Sequence, residues 1–453
     1  MKVRAALALA AAMATSGALA ESAADSSPAG RKSAPRQGAA ETNGVPTSAP
    51  LSLEAPPWGS GTQLPGWARS VRILKGDQPL RRHPDRSSDR RGSAARQTHL
   101  PLYGSAPGPG CGTPWLHVGA QAWVCGTEVM LSGSKPVASG RPRLGRGLPF
   151  QYFFAGRGGA LGYERPEEVD VGAPAMTFEP GFAVAVVEQR RYGRVLVGRT
   201  NRGLWIPLRD FGPARPLSFE GSVVSSRNED GAIPFAWVYV DSAPVYGRRG
   251  RVMMATGARK EKFTRVAWRG VTRSGPLSYV DIGGGAFVRE RDVRHPTVAP
   301  PPADEPSLAR ARWLDVELAS QTLVAYEGSR PVFATLVSTG KGKRKGHPFE
   351  TPKGVHRIWV KLLSTTMDNL ENDRASRYWR IEDVPYVQFF HKGVGLHGAF
   401  WHRSFGRVRS HGCVNLAPRD AERLYWFTGP KLPAGWTAVL PSDYDRGTVV
   451  RVR

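Results

Sequence analysis

Cys413 is the last of only three cysteines in a chain of 453 residues, and it stands in Ser410-His411-Gly412-Cys413-Val414-Asn415 with a second histidine, His397, sixteen positions upstream. A thiol attacks carbon as its thiolate, so a nucleophilic cysteine needs an imidazole to take its proton. His397 suits that role because it follows an apolar run (386–396) and precedes a loop long enough to fold back onto Cys413. Gly412 lets a substrate approach the backbone closely. The amides of Gly412 and Cys413 are placed to face a developing oxyanion, and the carbonyl of Gly398 is placed to orient the imidazole. His411, two residues from Cys413, suits a supporting contact in the oxyanion pocket better than the role of base. This is a nucleophile with its base, set up for acyl transfer.

The elements that position these residues are legible as strands and one helix. Trp313-Leu314-Asp315-Val316 and the run 322–326 read as the arms of a hairpin continued by 331–338, with apolar and polar positions alternating as in a half-buried antiparallel sheet. After the motif, Ala417-Pro418 opens a helix that carries Leu424, Tyr425 and Phe427 and stops at Gly429-Pro430. Tyr386, Phe400 and Trp401 flank the motif and are candidates either for shaping a substrate pocket or for core packing. His391 and His402 read as surface residues, His347 and His356 carry no assignment, and the basic, glycine-rich run 340–347 reads as a solvated loop.

At these residues the chain resembles the L,D-transpeptidase catalytic domain, also called the YkuD-type domain. The pattern of that family, His-Gly, a spacer, Ser/Thr-His-Gly-Cys, an apolar residue and Asn or Arg, is met by His397-Gly398, by Ser410, His411, Gly412 and Cys413, and by Val414 and Asn415. The resemblance runs from Trp313 through the Thr351-Pro352-Lys353-Gly354 turn to Gly435-Trp436. It implies that Cys413 is acylated, that His397 is the base with Gly398 as its orienter, and that Ser410, His411 and Gly412 form the supporting shell. Asn415, Tyr386 and Trp401 become candidate substrate contacts. It further implies acyl transfer on peptidoglycan stem peptides through a cysteine thioester, with no metal or organic cofactor. The acceptor is left open: another stem, a free D-amino acid, a protein lysine or water.

Residues 1–20 have a basic start (Lys2, Arg4), a short apolar core and Ala18-Leu19-Ala20 before Glu21, the pattern of a secretory signal. The apolar core is too short to span a bilayer stably, and no later run reaches about eighteen uninterrupted apolar residues, so no transmembrane segment is expected. An exported protein keeps disulfides. Cys111 and Cys125 would close a short loop, worth about 3 kcal/mol on the chain-entropy estimate, against a competing zinc reading that lacks partner ligands at the right spacing. Cys413 is then the unpaired thiol, a flag for reactivity.

Residues 21–62, rich in Ala, Ser, Pro and Gly, read as a disordered tether. Three repeats follow, anchored at Trp123-Val124 with Glu128-Val129, Trp205-Ile206 with Asp210-Phe211, and Phe287-Val288 with Asp292-Val293, spaced 82 residues apart. Short strands broken by turns at a fixed long period point to duplicated β-barrel modules, and their closing signature resembles bacterial SH3-like modules. The expected fold is therefore mainly β: modules at 63–135, 146–215 and 231–295, a Pro-rich linker at 296–310, a catalytic domain at 311–441 with a short helix after its motif, and a C-terminal tail at 442–453. The polar insertion 81–97 reads as a mobile loop. The modules serve either to recognise wall peptide or glycan, or as spacers.

The net charge of +25 fits attraction to an anionic envelope surface. Export, scattered arginines and the lack of a nucleic-acid-binding signature argue against nucleic acid as partner. The periplasm or the cell wall is the expected location. Two other classes stay open: an L,D-carboxypeptidase or wall amidase with the same Cys/His pair, and a peptidoglycan-binding protein dominated by its β modules.

Overall fold

Strand Arg312–Glu317 carries four consecutive buried positions, Trp313 to Val316, and such a run must be covered on both faces. In the structure, a computed structural model that describes residues 63–137, 148–215, 219–344, 347–370 and 378–453, it lies inside a six-stranded sheet. It pairs antiparallel with Thr322–Glu327, which pairs in turn with Arg330–Leu336. On its other side runs Val449–Val452, parallel to it, with Trp313 opposite Val449. The expected signal segment 1–20 and the expected tether 21–62, with the stretch 138–147, lie outside the described residues.

Residues 442–453 are therefore not a tail. Val449–Val452 is sandwiched between Arg312–Glu317 and Gly354–Arg357, and Val449, Val450 and Val452 are buried. Asp315 is the one acid within the buried run, and Arg451 Nε (2.6 Å) and Arg453 Nε (2.9 Å) donate to its two oxygens. The Pro-rich run 296–310 is not a free spacer either. Arg451 donates to the Pro300 carbonyl (2.9 Å), the Ala299 N–H donates to the Tyr326 hydroxyl (2.9 Å), and the run closes in a short 3-10 helix, Pro306–Arg310.

A second, larger sheet carries the motif. Its long strand Arg380–His391 pairs antiparallel with Val360–Asp368 and with Val394–Gly398. Val394–Gly398 then runs parallel to Val414–Leu416, with His397 opposite Asn415. The helix Pro418–Phe427 follows directly, with proline at its start and Ala421, Leu424 and Tyr425 buried against these strands. Its C-terminal carbonyls are met by a fully buried lysine: Lys361 Nζ donates to the Tyr425 and Thr428 carbonyls.

Each anchor of the 82-residue repeat is a strand, a 3-10 turn and a second strand. The 3-10 turns are Gly126–Glu128, Leu208–Asp210 and Glu290–Asp292, preceded by Ala122–Cys125, Trp205–Pro207 and Ala286–Arg289. Among the described residues no closed barrel is found, which differs from the expected modules. Strands of the first two segments join the large sheet instead, because an open sheet edge is stabilised when another strand covers it. Arg90–Ala94 pairs with Trp436–Val439, and Ala183 pairs in parallel with Ile381.

The insertion 81–97 is thus not a mobile loop, since it contains that bridging strand. Gly92 is required there: a Cβ would come within 2.5 Å of the Trp436 ring. Arg91 is buried with its guanidinium over Trp436, donating to the Leu440 carbonyl. The run 340–347 is likewise ordered in part, as the hairpin of Gly342–Arg344 with His347–Phe349. Cys111 and Cys125 are joined as a disulfide. Among the described residues no helix is long and apolar enough to cross a membrane.

Candidate active site

His397 sits near the end of strand Val394–Gly398, almost fully buried, with its Nδ1 3.2 Å from the Gly398 carbonyl. A carbonyl only accepts, so Nδ1 carries the proton and Nε2 keeps its lone pair. This is the tautomer a base at Nε2 requires. Burial lowers the imidazole to about 4, so it is neutral at physiological pH. The Trp401 ring lies nearly parallel to it, 5.6 Å between centroids.

The turn carrying Cys413 is held from three sides. The Gly412 N–H donates to Ser410 Oγ (3.1 Å), whose own proton goes to the Cys413 carbonyl. Thr351 Oγ1 donates to the Gly412 carbonyl (2.7 Å) and accepts from the Gly340 N–H (3.0 Å). Asn415 exchanges backbone hydrogen bonds with Ser338, and the Ser410 N–H donates to the Thr339 carbonyl. Gly412 has φ +124°, a conformation that favours glycine, and a Cβ there would lie 3.4 Å from both the Glu350 carbonyl oxygen and Val394.

The sulfur of Cys413 lies deep although the residue is half-buried, and burial pushes the thiol up to about 11. Its S–H points to the Gly393 carbonyl at 3.8 Å. Among the described residues no hydrogen bond joins it to His397. The raised thiol and the lowered imidazole are both neutral at physiological pH. The amides divide differently from the expectation. Gly412 N–H is taken by Ser410, while Cys413 N–H has no partner among the described residues.

His411 packs edge-on against Phe349 at 4.2 Å, and its buried Nδ1 has no partner. Burial, with Lys341 nearby, lowers it to about 3. Tyr386 is buried against Tyr425 at 5.5 Å and hydrogen-bonded to Glu422. Phe400 is also buried, stacked on Tyr152. Trp401 alone of the three flanking aromatics stands on His397.

His402, expected at the surface, is buried and belongs to the site. The Ser404 N–H donates to its Nδ1 (3.1 Å), which leaves the proton on Nε2, 2.9 Å from the Asn415 side chain. Two donors cannot both face a neutral ring that has a single N–H. The Asn415 amide is satisfied when its Oδ1, otherwise buried without a partner, takes the Nε2–H. Asn415 is therefore oriented by His402, a contact between residues thirteen apart that no local pattern announces. Burial, with Arg409 and His397 close by, lowers His402 to about 3.

Residues 311–452 match the family model of the L,D-transpeptidase catalytic domain, YkuD. The C-terminal segment carries a YkuD-type L,D-transpeptidase catalytic domain. No curated protein matches the chain. Among solved structures it is similar to a mutant Enterococcus faecium L,D-transpeptidase (22% identity, 31% of this chain and 49% of that one, TM-score 0.23). It is also similar to an L,D-transpeptidase from Stackebrandtia nassauensis (28%, 31% and 55%, TM-score 0.21) and to L,D-transpeptidase 3 from Mycobacterium tuberculosis (16%, 39% and 77%, TM-score 0.24). The chain spans about half the length of the first two. The matched span starts beside Arg312–Glu317 and ends at Val452, so the L,D-transpeptidase domain takes in the C-terminal strand together with the cysteine turn.

Proposed function

We propose that the protein is an exported cysteine L,D-transpeptidase that acts on peptidoglycan stem peptides, in the periplasm or the cell wall. One observation carries the reading: the His397 imidazole is fixed by the Gly398 carbonyl with Nε2 free, on a strand in register with the one that follows Cys413. The family match supports it. In the first step the Cys413 sulfur bonds to the carbonyl carbon of the third residue of a tetrapeptide, and its proton passes to His397 Nε2. The oxyanion is met by the Cys413 N–H. The intermediate then breaks its C–N bond to the terminal D-alanine, whose nitrogen takes the proton from His397, and a thioester remains.

In the second step an acceptor amine attacks the thioester and yields a proton to His397 Nε2; the C–S bond breaks and the thiolate recovers that proton. An amine from another stem gives a 3-3 cross-link, a free amine gives exchange or attachment, and water gives the shortened stem. Starting from a neutral pair, the enzyme leaves its cysteine unreactive until a carbonyl is in place. The basic chain is attracted to an anionic envelope. Incubation with purified tetrapeptide monomers tests the reading. Cross-linked dimer from the wild type, absent with Cys413→Ala, is expected; only shortened monomer would identify a carboxypeptidase.

A further inference from the structure

Between His397 and Cys413 runs the loop 399–409, which carries Trp401 and His402, and both of its shoulders rest on the N-terminal repeats. On one side Phe400 stacks on Tyr152 at 3.9 Å and lies 6.0 Å from Phe154. Tyr152 is itself fixed, since its hydroxyl donates to the Asp383 carbonyl (2.6 Å). On the other side Phe405 is fully buried beside Phe219 (6.2 Å) and Phe263 (6.4 Å).

The next residue, Gly406, is gripped most closely. Arg294 Nε donates to its carbonyl (3.0 Å), while its N–H donates to the Val337 carbonyl (2.9 Å). The Arg294 guanidinium lies over Tyr239 at 3.8 Å, and Arg407 approaches the same ring at 5.2 Å. Gly406 has φ +87°, and a Cβ there would meet the Tyr239 Cβ at 2.7 Å. From this grip the loop reaches the chemistry in two contacts. Ser404, held by Ser338 Oγ at its carbonyl (2.8 Å), gives its N–H to His402, and His402 orients Asn415. Phe400 meets Trp401 edge-on at 5.2 Å, and Trp401 lies on His397.

We propose that the second and third repeats are positioning elements of the active site: Tyr152 and Phe154 on one shoulder, and Tyr239, Phe263 and Arg294 on the other, hold the loop 399–409 so that Trp401 and His402 keep His397 and Asn415 aligned. These residues touch no reacting atom. Their role is to remove the freedom of a loop whose displacement by an ångström is enough to lower the rate of an aligned reaction severely. The assignment rests on the transpeptidase reading for its consequence in turnover, but not for its effect on the thiol. The thiol is held high by burial, so a loosened loop that admits water lets Cys413 ionise more readily.

The test uses the full chain with Arg294→Gln and Gly406→Ala, which disturb the grip from opposite partners, and Phe154→Leu as a milder change on the far shoulder. Arg273→Gln, on an exposed strand away from the loop, is the control. Two rates are read: acylation of Cys413 by a stem tetrapeptide, followed by mass, and alkylation of Cys413 by iodoacetamide between pH 6 and 10. Expected is a fall of about tenfold or more in acylation, with KM changed less than kcat, and a rise of about threefold or more in alkylation at pH 8 as the thiol moves toward its ordinary range. Wild-type values for both rates in all three variants would overturn the proposal and leave the repeats as spacers. Altered alkylation with no acylation of any form, wild type included, would leave the loop assignment standing and remove the transpeptidase reading.

Discussion

Replacing His402 with glutamine removes one buried, neutral imidazole, and its effect on stability has a sign and a size fixed by the site. The ring is lowered from the ordinary 6.5 to about 3, mainly by burial and then by Arg409 and His397. A lowered pKa means that the unfolded chain binds a proton the folded one refuses, so this contribution is fully present above pH 6.5 and is lost as the pH falls toward 3. Between pH 7.5 and pH 5.0 the loss accrues over about 1.5 pH units at about 1.4 kcal/mol each, or about 2 kcal/mol. His402→Gln keeps a side chain able to face Asn415 but has no such proton. Urea unfolding at the two pH values, followed by tryptophan fluorescence, should show the wild type losing about 2 kcal/mol more than the variant. Asp420 works in the opposite direction in both proteins: buried and raised to about 7, it favours folding at lower pH and cancels in the difference. Equal losses in wild type and variant would refute the burial of a neutral His402.

Three further outcomes follow from the same geometry. With the thiol pushed to about 11, iodoacetamide alkylation of Cys413 should climb about tenfold per pH unit through pH 7–9 with no plateau, and an acid plateau would reveal a resting thiolate–imidazolium pair. His397→Ala should lower acylation by a stem peptide by about 10²–10⁴-fold while leaving alkylation per thiolate nearly unchanged, because the resting imidazole holds no proton from the sulfur. Thr351→Val strands the Gly412 carbonyl and the Gly340 N–H, and should cost about 1–3 kcal/mol in thermal unfolding together with a loss of turnover.

The strand that carries His397, the turn that carries Cys413 and the helix behind them were legible because the motif sits in one short stretch: a cysteine, a small residue and a histidine before a loop need no distant partner to be noticed. Arg312–Glu317, Thr322–Glu327 and Arg330–Leu336 were legible for a similar reason, since neighbouring strands pair through short turns. The last strand was not. Val449–Val452 is four residues between a glycine turn and the chain end, and only its place between strands that begin at 312 and 354 makes it core. Arg90–Ala94 failed likewise, as its polar residues pair with Trp436–Val439 more than three hundred positions away. His402 read as surface because it follows a tryptophan in a polar loop; its burial depends on Asn415 and on the repeats that press the loop inward. Periodicity carried the strand–turn–strand anchors of the repeats, but not the way the first two join the large sheet.

Whether Cys413 forms an acyl-enzyme is read by intact-mass spectrometry of the full chain after incubation with purified stem tetrapeptide. An adduct equal to the tripeptide acyl group, with release of D-alanine, is expected on the wild type and not on Cys413→Ala. A wild type that stays at its unmodified mass while still shortening or joining stems would contradict it.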